Sequence, residues 1–187
     1  MNQYDKRWDM ASNICLIGFM GSGKTTVGEV LAKKIGWHWV DLDTEIAKGE
    51  NTSIANIFAQ KGEAYFRSLE TQYLKKAFQQ EDTVISTGGG IIVTPENVTL
   101  LAEKTTFYLH WKFDTLYQRI AGDTARPLAT SYDEVHMRYK GREALYDAAS
   151  KEMIQCEGKT VDEVVASILK ALMKDGNDSL NEKYANL

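Results

Sequence analysis

Only two cysteines occur among the 187 residues, and they are not spaced as a metal-ligand pair. Cys15 sits in ICLIG and Cys156 in MIQC, both apolar and strand-like, so each is expected to be a small buried hydrophobe. Neither points to an oxidising compartment. No apolar run approaches the roughly 18 residues of a membrane span, so no membrane partner is expected. With a net charge of -4 and no block of five like charges, the chain offers no footprint for nucleic acid or an anionic surface. The first dozen residues, MNQYDKRWDMAS, hold two basic and two acidic side chains and no apolar stretch before Ile14. That pattern fits neither a secretory signal nor an Arg-rich transit peptide, and a cytoplasmic location is expected. A switch GTPase would need D-x-x-G after a strand and N-K-x-D for guanine, and the sequence has neither.

The remaining composition, 43% hydrophobic and 26% charged, is that of a soluble globular protein, and the length suits one domain. Short apolar runs read as strands at 13–18, 38–43, 81–87, 104–111 and 151–156. Apolar spacing of three and four residues predicts helices after residue 23 and near 53–60, 63–79, 95–103, 114–121, 132–149 and 160–174, the last opened by a capping box of Thr160 and Glu163. Strands alternating with helices argue for an α/β domain with a parallel sheet covered on both faces, over residues 13–174. Residues 1–12 read as an N-terminal extension, and the polar stretch 175–187 reads as a tail that frays. A monomer is expected, because no interface stripe is evident.

The stretch from Gly18 to Thr25, GFMGSGKT, satisfies G-x-x-x-x-G-K-[ST] and lies between a strand-like and a helix-like segment, the context this phosphate-binding loop requires. Glycines let successive N–H groups point inward, the helix start adds partial positive charge, and Lys24 adds a full one against β and γ phosphates. Thr25 can place its hydroxyl on Mg²⁺. A nucleoside triphosphate with Mg²⁺ is therefore expected.

Asp41 and Asp43 end the second strand-like run and, if the chain stays extended, project to the same side. One could hold Mg²⁺ through water while the other takes a proton from an attacking hydroxyl, although an aspartate at a strand end is also an ordinary helix cap. In place of the acidic residue with which motor ATPases end an apolar strand, TVIST runs into Gly88, Gly89 and Gly90. Exposed N–H groups there suit a small acceptor better than water activation, and a flexible turn is the plain alternative. Arg67 and Glu70, three apart on a helix, could orient an anionic acceptor or form a surface ion pair. Arg142 gains meaning only beside them. Trp37, Trp39 and Trp111 read as packing residues, and His38, His110 and His136 have no ligand-like spacing.

In register, GFMGSGKTTVG, DLD, GEAYFRSLE, STGGG, GDTARPL and the RxxLY beginning at Arg142 together resemble the shikimate kinases from about Asn13 to about Met173. The family often has proline where Ala144 stands. The resemblance implies a nucleoside-monophosphate-kinase-like P-loop fold with a five-stranded parallel sheet in order 2-3-1-4-5. It also implies ATP-dependent phosphorylation of the 3-hydroxyl of shikimate, on the route to chorismate and aromatic amino acids. On this pattern ATP is held by Gly21, Ser22, Gly23, Lys24, Thr25 and Thr26, with Arg119 against adenine and Arg126 brought over the phosphates by a lid spanning Gly122 to Tyr132. Thr25 and Asp41 stand on the Mg²⁺ side. Asp43 contacts the reacting hydroxyl and, with Lys24 and Arg126, is implied in catalysis. Arg67 and Arg142 grip the shikimate carboxylate, while Glu70 and the amides of Gly88, Gly89 and Gly90 complete the pocket. A kinase for another hydroxy acid such as gluconate, and a nucleotide-binding regulatory module without turnover, are the competing readings.

Overall fold

Central strands buried on both faces must be apolar throughout, and this organises the molecule. In the computed structural model, which describes residues 13–121 and 131–174, β1 (Asn13–Ile17) and β3 (Thr83–Ser86) are buried at every position. β4 (Thr105–His110) is buried through its middle. β2 (His38–Asp41) and β5 (Glu152–Gln155) are partly exposed, as befits the two edges. All pairings are parallel and the strand order is β2-β3-β1-β4-β5, the expected 2-3-1-4-5. The segment 1–12, the tail 175–187 and the stretch 122–130 with Arg126 lie outside the described residues.

Seven α-helices are described: α1 (Lys24–Ile35), α2 (Leu42–Gly49), α3 (Ile54–Ala77), α4 (Pro95–Ala102), α5 (Phe113–Ile120), α6 (Tyr132–Ala149) and α7 (Val161–Lys174), with a 3-10 turn at Ile91–Val93. The two helices expected near 53–60 and 63–79 form the one element α3, broken at Gly62, whose φ of 80° and ψ of 172° are not helical. The capping box before α7 is present: the Thr160 amide donates to the Glu163 carboxylate at 2.7 Å and the Glu163 amide to the Thr160 hydroxyl at 3.3 Å.

One expectation fails at the end of β2. The chain does not stay extended to Asp43; it turns into α2 at Leu42, because Asp41 accepts the Thr44 amide at 3.0 Å and caps the helix. Leu42 and Ile46, four residues apart and both buried, then supply the apolar face that holds α2 down.

The main core encloses the sheet and includes Cys15 and Cys156. Both cysteines are free and buried, and burial pushes their thiols up to about 12, so they are inert at neutral pH. A second, smaller cluster of Ile46, Ile57, Phe66 and Leu69 fastens α2 to α3. Among the described residues no helix is long and apolar enough to cross a membrane.

Candidate active site

A helix start usually has its unpaired amides satisfied by a side chain. Asp41, Ser53, Ser131 and Thr160 do this for α2, α3, α6 and α7. α1 differs: its N-cap is Gly23, with no side-chain cap and no acidic residue in the first turn. Gly21 and Gly23 take left-handed φ values of 80° and 83°, which only glycine adopts at little cost. The result is a curled loop after β1 whose helix start is left for an anion. Lys24 is buried and folds back into the curl, donating to the carbonyls of Gly18 at 2.8 Å and Phe19 at 3.1 Å and to the Ser22 hydroxyl at 3.2 Å. Its charge is thus held inside the loop, while Thr25 and Thr26 are exposed at its rim.

The Thr25 hydroxyl donates to Asp41 Oδ2 at 2.8 Å. Asp41 therefore has two roles, capping α2 with Oδ1 and meeting the loop threonine with Oδ2. An uncharged hydroxyl beside a carboxylate, next to a phosphate cradle, is an oxygen donor set suited to Mg²⁺. Among the described residues there is no group of three or more His, Cys, Asp or Glu placed for a metal.

The three glycines after β3 reach both sides of the site. A Cβ on Gly88 would stand 2.7 Å from Asp43 Oδ1 and 3.0 Å from Glu70 Oε1, one on Gly89 would stand 3.0 Å from the Met20 amide nitrogen, and one on Gly90 would overlap the Arg67 guanidinium. No larger residue fits at Gly88 or Gly90 without displacing a charged side chain. The run is a close-packed junction between P-loop, α2 and α3, not merely a turn.

Arg67 pairs with Glu70 on one side and with Glu63 at 2.9 Å on the other. Burial works against its charge, but the two carboxylates outweigh burial and hold the guanidinium firmly protonated. Glu70 is buried, and its Oε1 has no hydrogen-bond partner. Burial pushes its carboxyl up to about 7, with Arg67 and Arg142 pulling it down and Asp43 pushing it further up. Arg142 comes from α6, and its Nη1 donates to the Gly89 carbonyl at 3.1 Å. Burial lowers its affinity for a proton, and the nearby Arg67 cation adds to that. Two guanidinium groups from different helices are thus brought near each other, beside two carboxylates and the P-loop. Guanidinium pairs of this kind suit a bidentate carboxylate.

Arg119 extends from α5 to the other flank of the loop. Its guanidinium lies 3.7 Å from the centroid of the Trp111 ring, and Nη1 donates to the Gly21 carbonyl at 3.3 Å. Trp111 is buried, as expected of a packing residue, but it also donates its indole N–H to the Ser22 carbonyl at 3.0 Å. Sequence reading did not find that contact, nor the hydroxyl of Tyr146, which donates to Gly89 at 2.5 Å. The tyrosine could have been found from its place on the Arg142 face, four residues on. Nothing in the sequence marks Trp111 as a neighbour of the P-loop.

The shikimate kinase family model matches residues 20–173. The shikimate kinase of Persephonella marina is 40% identical over 159 residues, which is 84% of this chain and 96% of that one. The shikimate kinase of Enterococcus faecalis is 41% identical over 165 residues, 86% of this chain and 98% of that one. A solved shikimate kinase from Acinetobacter baumannii, in complex with shikimate, superposes with a TM-score of 0.83 at 31% identity, over 87% of this chain and 93% of that one. Because the family model spans most of the chain and these relatives are matched over nearly their whole length, the chain belongs to the shikimate kinase family.

Proposed function

We propose that this protein transfers the γ-phosphoryl group of ATP to the 3-hydroxyl of shikimate, with residues 13–174 as the kinase domain. The observation that carries the reading is the meeting of Arg67 and Arg142, from α3 and α6, beside Asp43, Glu70 and the glycine run that packs on the P-loop. A hydroxy acid held there by its carboxylate presents a hydroxyl toward the phosphates.

In this reading Gly21, Ser22, Gly23, Lys24, Thr25 and Thr26 hold the triphosphate, Arg119 lies against the base, and Arg126 adds its charge to the phosphates. Arg67 and Arg142 bind the acceptor carboxylate, with Glu70 orienting Arg67 and the amides of Gly88, Gly89 and Gly90 lining the pocket. The acceptor oxygen attacks the γ-phosphorus in line, the bond to the bridging oxygen of ADP breaks, and Asp43 takes the hydroxyl proton. No phosphoenzyme forms. Thr25 and Asp41 would hold Mg²⁺, which neutralises charge on the phosphate oxygens. Catalysis rests on placement and charge, with little covalent work by the protein. A cytoplasmic monomer completes the proposal.

The test is ADP release from the purified protein with Mg-ATP, with and without shikimate, and with gluconate in parallel. Shikimate-dependent ADP and a monophosphate ester are expected. Gluconate-dependent release would assign a different acid, and nucleotide binding with no acceptor-dependent release would make the chain a regulatory relative.

A further inference from the structure

Arg119 is an exposed side chain on a short helix, yet its guanidinium lies close over a buried ring. A long, flexible guanidinium on a surface ordinarily samples many rotamers, and losing that freedom is unfavourable. Here two contacts fix it. The guanidinium carbon stands 3.7 Å from the centroid of the Trp111 ring, and Nη1 donates to the Gly21 carbonyl. Trp111 itself is immobilised: it is only 6% exposed, and its N–H is bonded to the carbonyl of Ser22. Gly21 is pinned from the same side, since a Cβ there would stand 2.9 Å from Ile120 Cγ2.

We propose that Trp111 is a positioning residue of the nucleotide site, acting through Arg119. The indole serves as a fixed plate that holds the guanidinium parallel to itself, so that a nucleobase stacks on the outer face of Arg119 to give a layer of indole, guanidinium and base. The indole N–H, bonded to the Ser22 carbonyl, fixes the orientation of this plate. A planar guanidinium stacks on aromatic faces on both sides, which an ammonium cannot do. The proposal rests on the reading of Arg119 as the base contact.

The experiment measures dissociation constants for ADP and for tripolyphosphate, which has no base, together with the KM for shikimate and the thermal midpoint. The proteins are wild type, Arg119→Ala, Arg119→Lys, Trp111→Phe, Trp111→Leu and the double variant Arg119→Ala/Trp111→Leu. Trp111→Leu is expected to weaken ADP about tenfold while tripolyphosphate binding and the shikimate KM stay within about twofold, with Trp111→Phe, which keeps a plate, recovering most of the loss. In the Arg119→Ala background Trp111→Leu is expected to add nothing. Equal weakening of ADP and tripolyphosphate, or a full additive loss on top of Arg119→Ala, overturns the proposal, because Trp111 would then act on the loop and not through the arginine. If Trp111→Leu does not fold, Arg119→Lys decides: ADP binding as weak as in Arg119→Ala supports the stack, and wild-type binding overturns it. An Arg119→Ala protein that binds ADP normally removes the base-contact reading itself, an outcome distinct from normal loss in Arg119→Ala with no loss in Trp111→Leu.

Discussion

The hydroxyl of Tyr146 donates to the carbonyl of Gly89 at 2.5 Å, and this same carbonyl accepts from Arg142 Nη1 at 3.1 Å. Two residues one turn apart on α6 thus grasp a single atom of the glycine run. Tyr146 is fully buried and stacks on Tyr108 of β4 at 4.9 Å between centroids, so the grasp is anchored in the core. Tyr146→Phe keeps the stack and removes the hydrogen bond. Steady-state kinetics should show the shikimate KM raised about fivefold, for a loss of roughly 1 kcal/mol, with the ATP KM unchanged. Equal changes in both constants would mean that Tyr146 supports the fold and not the acceptor side.

Asp43 stands at the first turn of α2, half-buried, with Gly88 against its carboxylate. As the proposed proton acceptor it should matter to the transfer step and little to the nucleotide. Asp43→Asn should reduce turnover by about a hundredfold or more while ADP affinity, measured by calorimetry, stays close to wild type. Parallel losses in turnover and ADP affinity would remove the base assignment.

Arg67 and Arg142 are expected to act on acceptor affinity. Replacing either by alanine should weaken shikimate binding by about 1.5 to 3 kcal/mol, the range for a hydrogen bond to a charged group. Arg67→Lys should recover little of this, because an ammonium cannot form the planar fork that meets both a carboxylate and Glu70. Direct titration with shikimate decides it, and an unchanged affinity would take the residue out of the pocket.

Glu70 gives the stability a distinctive pH dependence. Its folded-state carboxyl is raised by burial from 4.5 to about 7, so between those values the native protein binds more protons than the unfolded chain. The stabilisation due to this group is complete below about 4.5 and is lost as pH rises through about 7, a change on the order of a few kcal/mol. The thermal midpoint of wild type should therefore fall relative to Glu70→Gln as pH is raised across that window. Parallel curves for the two proteins would show that the carboxyl does not titrate there.

Most of the fold was legible because its signals are local and repeated: apolar runs bounded by glycine or polar residues, and helical spacing between them. The P-loop was legible for the same reason, since its chemistry is confined to adjacent residues. What escaped was decided by contacts across the chain. Helix α2 was hidden because Asp41 ends a strand, caps a helix and meets Thr25 at once, and the strand pattern HWVDLD masks the switch. The strand order and the roles expected of Arg67 and Arg142 came from the family resemblance, not from periodicity, since no local pattern says that Arg67 and Arg142 meet at the glycine run. Trp111 was rightly expected to pack, but burial alone does not tell where an indole N–H points.

Arg67 and Glu70 stand on α3 and Asp43 on α2, the pair of helices fastened by the cluster of Ile46, Ile57, Phe66 and Leu69. Lys24 and Thr25 open α1, which lies against the sheet and the much larger main core. In the proposed assignment Asp43, Arg67 and Glu70 of the acceptor side thus stand partly on the smaller cluster, and the phosphate cradle stands on the larger one. Local opening draws on the less deeply packed part first, so on mild warming acceptor binding is expected to fail before nucleotide binding. Amide hydrogen exchange should show α2 and the part of α3 before Gly62 losing protection ahead of α1, and acceptor recognition failing at a lower temperature than nucleotide binding.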